Sequence, residues 1–85
     1  MDQKNEVVHM NLAAAYASAG EYENARKSYE SILLTNPKNY EAYLEIAKVC
    51  IALKDNEGAK KYLSTLKEKD SSYKTTEVTD LLASL

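Results

Sequence analysis

Residues 6–39 read EVVHMNLAAAYASAGEYENARKSYESILLTNPKN, and residues 40–73, YEAYLEIAKVCIALKDNEGAKKYLSTLKEKDSSY, repeat their pattern at a spacing of 34. Ala25 falls on Ala59, Leu12 on Ile46, Ala13 on Ala47, Glu21 on Asp55, Glu23 on Glu57, Tyr29 on Leu63 and Ile32 on Leu66. A fixed period of this length marks a stacked repeat in which each unit is one supersecondary element. Within a unit the apolar residues recur every three or four positions, as Val8, Leu12, Ala15 and Tyr16 and then Ala25, Tyr29, Ile32 and Leu33. That period makes each unit two amphipathic helices, since strands would need strict alternation.

Turn chemistry places the boundaries. Gly20 offers the positive φ that follows a helix end, and Asn36-Pro37 stops the next helix. The spacing predicts five helices, over residues 5–19, 22–35, 39–53, 56–69 and 72–84. The last begins a third unit and carries Val78, Leu81, Leu82 and Leu85 on one stripe, with Lys74, Glu77 and Asp80 on the water side. The expected organisation is one all-α domain over residues 1–85, with repeat one at 6–39, repeat two at 40–73 and a capping helix at 74–85.

Composition narrows the function. The 85 residues are 45% hydrophobic and 28% charged, the balance of a soluble globular domain. Eleven Lys and Arg against 13 Asp and Glu give a net charge of −2, and Arg26 is the sole arginine. Nucleic acid is therefore not an expected partner, because neutralising phosphates takes clustered cations. No run reaches the roughly 20 apolar residues that span a bilayer, so no membrane partner is expected. The apolar run from Met10 to Gly20 lacks the positive flank of a secretory signal, since Asp2 and Glu6 precede it. A cytoplasmic chain is the expectation.

The residues that carry the repeat resemble the tetratricopeptide repeat family. In unit one they are His9, Leu12-Ala13, Tyr16, Ala25, Tyr29 and Pro37, with His9 in place of the family's Trp and Ala13 in place of its Gly. In unit two Tyr43, Ile46-Ala47, Cys50, Ala59 and Leu63 keep the spacing, while Lys54 stands at the Gly20 position and Ser71 at the Pro37 position. The resemblance implies a right-handed solenoid of five helices. Small residues at Ala13, Ala25, Ala47 and Ala59 then let helices approach closely.

By the same resemblance, the first helix of each pair lines a concave protein-binding face. It would present Val7, Met10, Asn11, Ala14, Ala17 and Ser18 from unit one and Glu41, Leu44, Glu45, Lys48, Ile51 and Ala52 from unit two. The family's clamp for the acidic tail of heat-shock chaperones needs cations and amides. Its positions fall here on Met10, Ala14, Glu45, Thr75 and Thr79, which supply neither. The expected occupant is instead an apolar or amphipathic protein segment, anchored on Met10, Leu44 and Ile51, with Val7, Asn11, Ala14, Glu41, Glu45 and Lys48 around it. Helix five or a second copy of the chain would compete for the same stripe.

Little else in the chain carries chemistry. The lone histidine and cysteine, His9 and Cys50, invite a base and nucleophile reading, but both fall on packing positions of the repeat. One Cys and one His do not make a metal site, and Gly20 and Gly58 are isolated, so no phosphate loop forms. No enzyme activity and no cofactor are expected. Lys60, Lys61, Lys67 and Lys69 interleave with Glu57 and Glu68 as a solvated face, and the tyrosines read as packing residues. An alternative role is a self-assembling unit or a fragment of a longer array. Val8, His9, Leu12 and Tyr22 would then leave helix one open to a weak homodimer.

Overall fold

The computed structural model describes residues 3–70, 72 and 74–85, with side chains described from Glu6 onward except that of Thr75. They form five helices and no strand: α1 (Gln3–Ser18), α2 (Tyr22–Thr35), α3 (Tyr40–Ala52), α4 (Asn56–Lys69) and α5 (Thr75–Ala83). The bounds of α2 and α4 are those predicted from the repeat, and α1 and α3 also end at a spacing of 34. Helix α5 is shorter than the predicted 72–84, because Lys74 takes a left-handed φ of 42° and the helix begins only after it. Ser71 and Tyr73, which the repeat register aligns with Pro37 and Asn39, lie outside the described residues.

The turn after the first helix of each pair is the same device twice. The Gly20 amide donates to the Ala17 carbonyl at 3.0 Å and the Glu21 amide to Tyr16 at 2.8 Å, a Schellman closure. Thirty-four residues on, Lys54 donates to Ile51 at 3.0 Å and Asp55 to Cys50 at 2.8 Å. Gly20 has φ 81° and Lys54 φ 63°, so a lysine holds the left-handed position that glycine fills in the first unit. Asp55 then caps α4 by accepting from the Gly58 amide at 3.0 Å.

Packing runs between neighbours in the sequence: α1 on α2, α2 on α3, α3 on α4 and α4 on α5. Ala13, Ala25, Ala47 and Ala59 are all fully buried, where a larger side chain would hold the helices apart. One core cluster joins α1, α2 and α3 through Ala13, Ala25, Tyr29, Ile32, Ala42, Ile46 and Val49. A second joins α3, α4 and α5 through Tyr43, Leu44, Ala47, Leu63, Leu66 and Val78, with Leu81, Leu82 and Leu85 packed against it. Helix α3 serves both clusters and is apolar on most of its circumference, as a central helix must be.

One expectation changes here. Leu44 is not a groove anchor: it is fully buried, because α5 lays Val78 over the part of α3 where it projects. Glu77 stays partly exposed, as expected of the water side, and also forms an ion pair. It lies one turn before Leu81 on the flank of the buried stripe, and its Oε1 meets Lys48 Nζ of α3 at 2.8 Å. Lys60, Lys61, Lys67 and Lys69 are exposed on α4.

Candidate functional site

Between α1 and α3 lies a groove of about 630 Å³. Val7, Met10, Asn11 and Ala14 of α1 line one wall, at the spacing that puts residues on a single helical stripe. Glu41 and Glu45, one turn apart on α3, line the other. Tyr29 reaches its floor from α2, which packs against both walls. Glu6, Asn36 and Asn39 close one end.

The closed end is a hydrogen-bonded knot. Asn39 caps α3, its Oδ1 accepting from the Ala42 amide at 3.0 Å, and Asn36 Oδ1 accepts from the Lys38 amide at 3.2 Å. Both carboxamides are thereby oriented with their Nδ2 groups toward α1. Asn36 Nδ2 donates to Glu6 Oε1 at 2.9 Å and to Oε2 at 3.1 Å, and Asn39 Nδ2 donates to Oε1 at 2.6 Å. One carboxylate thus ties the start of α1 to the loop that ends the first repeat and leads into the second.

The groove is acidic on its α3 side. Glu45 Oε1 lies 3.5 Å from Lys48 Nζ, but that ammonium sits closer to Glu77. The Glu77 hydrogen bond is the main cause that raises the Lys48 pKa, and Lys48 in turn holds the Glu77 carboxyl below its ordinary value. Tyr29 registers the field inside: burial first, then the charges of Glu45 and Glu41, push its phenol up to about 12.

Six of the nine residues expected around the docked segment therefore come together here: Val7, Met10, Asn11, Ala14, Glu41 and Glu45. Three do not. Leu44 is in the α3–α5 core, Lys48 pairs with Glu77 outside the groove, and Ile51 is half-buried further along α3, near the turn at Lys54. Glu6, Tyr29, Asn36 and Asn39 were not expected in the site. Asn36 and Asn39 had a signal, since amides bracketing Pro37 are turn and cap formers whose free Nδ2 groups need an acceptor.

His9 is exposed on α1, whereas Cys50 is buried in α3, its thiol pushed up by burial and then by Asp55. A buried thiol kept in its neutral form is a packing group. Among the described residues no group of three or more His, Cys, Asp or Glu side chains is placed to hold a metal ion. Nor is any helix among them long and apolar enough to cross a membrane.

A family model of the tetratricopeptide repeat matches residues 16–85, from the end of α1 through α5. Among curated proteins none matches the chain.

Proposed function

The chain belongs to the tetratricopeptide repeat family, and from that membership we propose that it is an interaction scaffold whose α1–α3 groove docks an apolar or amphipathic protein segment. The observation that carries this reading is the exposed apolar stripe of α1. Val7 is 57% exposed, and with Met10 and Ala14 it lines a concave surface, where side chains of an incoming segment find contacts on more than one side. The clamp chemistry for acidic tails has no support in this groove, whose positions hold Met10, Ala14 and Glu45. A chaperone tail ending in carboxylates would meet Glu41 and Glu45 as like charges.

Photo-crosslinking tests the reading. A benzophenone side chain at Asn11, which is exposed in the groove, should yield partner adducts that the same group at Lys60 on α4 does not. Equal adducts from both positions would place the partner elsewhere.

A second reading has its own observation. Val8 is 60% exposed and Leu12 42% exposed on α1, outside the groove lining, and His9 is exposed beside them. Apolar residues so placed favour a weak homodimer through α1 or stacking with a further repeat. Tyr22 is partly buried, packed against the first core cluster. Sedimentation over a hundredfold dilution, with Val8→Lys beside the parent, tests it: a variant as dimeric as the parent excludes α1 as the contact.

A further inference from the structure

Resting on the reading that the α1–α3 groove docks a protein segment, we propose that its occupant is a cationic amphipathic segment of a partner protein. Its apolar side chains would sit on Val7, Met10 and Ala14 while a lysine or arginine meets Glu41 and Glu45.

Three carboxylates line the groove, and among the described residues no lysine, arginine or histidine does. The three are not equivalent. Glu6 is engaged by Asn36 and Asn39. Glu45 has only the longer share of Lys48, at 3.5 Å against 2.8 Å for Glu77. Glu41 is exposed and has no ion pair among the described residues. Two carboxylates one helical turn apart thus face an apolar wall and lack a counter-charge inside the groove.

This combination discriminates among occupants. A wholly apolar segment would cover Glu41 and Glu45 without pairing them, and a buried unpaired charge is costly. An anionic segment would add like charges. A lysine or arginine satisfies both walls, since its aliphatic stem lies along apolar surface while its head stays with the carboxylates. The negative potential is already felt by the Tyr29 phenol at the floor, where Glu45 and Glu41 add to the effect of burial.

The test is a random peptide library displayed on phage and panned against the intact chain, with the leading peptides then synthesised and titrated by fluorescence anisotropy at low and high salt. Three chains are compared: the parent, Glu41→Gln/Glu45→Gln, and Ala14→Gln, whose neutral bulk fills the groove. Enriched peptides should carry lysine or arginine beside apolar residues. Their affinity should fall about tenfold in the double glutamine chain, as two partly exposed ion pairs allow. It should fall similarly at high salt and be lost in Ala14→Gln. Glu41→Gln alone, at an exposed position, replaces the double variant where circular dichroism shows that the latter has lost helix.

Peptides blocked by Ala14→Gln but indifferent to Glu41→Gln/Glu45→Gln would overturn the cationic occupant and leave the groove as a docking site. Enrichment of acidic peptides would overturn it likewise. Peptides indifferent to every variant, or no enrichment at all, would overturn the groove reading itself. Self-association of the chain that disappears in Glu41→Gln/Glu45→Gln would make the occupant the α4 lysine face of a second copy, which also overturns the proposal.

Discussion

Glu6 Oε1 accepts a hydrogen bond of 2.6 Å from Asn39 Nδ2, joining the first turn of α1 to the N-cap of α3 across 33 residues of sequence. Because Asn36 donates to the same carboxylate, a single side chain holds two capping and turn residues in place. Glu6→Ala should lower stability by about 1.5 to 3 kcal/mol, the range for hydrogen bonds to a charged group. Glu6→Gln, which keeps an acceptor oxygen, should lose less. Urea denaturation of the three chains checks this, and a Glu6→Ala midpoint equal to the parent's would show that the knot carries no stability.

Tyr29 predicts an alkaline loss of stability. Its folded-state pKa is pushed up to about 12 from an ordinary 10, so the folded chain keeps a proton that the unfolded chain releases first. The contribution is complete below pH 10, declines as pH rises from about 10 to 12, and then levels off. Two pKa steps correspond to about 2.7 kcal/mol, reduced to about 1 to 2 because the ring borders an open groove. Tyr29→Phe should remove that part of the decline. Comparing parent and Tyr29→Phe melts between pH 9 and 12 isolates the effect, since everything else is common to the two chains.

Leu44 and Ile51 should separate sharply. Leu44 is fully buried beneath α5, so Leu44→Ala should cost about 2 to 5 kcal/mol and Leu44→Glu should unfold the chain. Ile51, half-buried and outside both core clusters, should cost less on truncation to Ala. Thermal melts followed at 222 nm give the comparison. Equal costs would mean that α5 does not cover Leu44 in solution.

Lys54 holds a left-handed φ of 63° at the position where Gly20 holds 81°. A side chain there costs about 1 to 2 kcal/mol, partly offset by the greater freedom of glycine in the unfolded chain. Lys54→Gly should therefore stabilise by roughly 0.5 to 1 kcal/mol. Gly20→Ala should do the reverse, and through the backbone alone, since an added Cβ there meets nothing within 4 Å. Paired melts of the two variants decide it, and a destabilised Lys54→Gly would refute the strain at that turn.

What the sequence made legible was local chemistry repeated at a fixed interval. Helix α2 could be read to the residue because Gly20 and Asn36-Pro37 act within a few positions, and the 34-residue offset carries the same bounds to α4. The two things left open or unseen depend on distant segments. The apolar period puts Leu44 on a stripe and leaves open whether a protein segment, a second copy or helix five covers it, and α5 does. Glu6 reads as a charge in a helical first turn, and its partners lie 30 and 33 residues away. The groove residues of α1 were legible as one face, whereas the acidic wall opposite them acquires its meaning only from Tyr29 beneath it and from Lys48 turning away to Glu77.

Helix α1 packs chiefly against α2, whereas α3 is gripped by neighbours on both sides. Of the two walls α1 has fewer packing neighbours among the described residues, and elements with few buried contacts open first by local melting, so α1 should be the wall that breathes and α3 the wall that stands. Anything seated between them acts as a splint, bridging helices that are not successive in the chain. Amide exchange in α1 should slow far more than in α4 once the groove is filled, making the rhythm of one helix a gauge of occupancy.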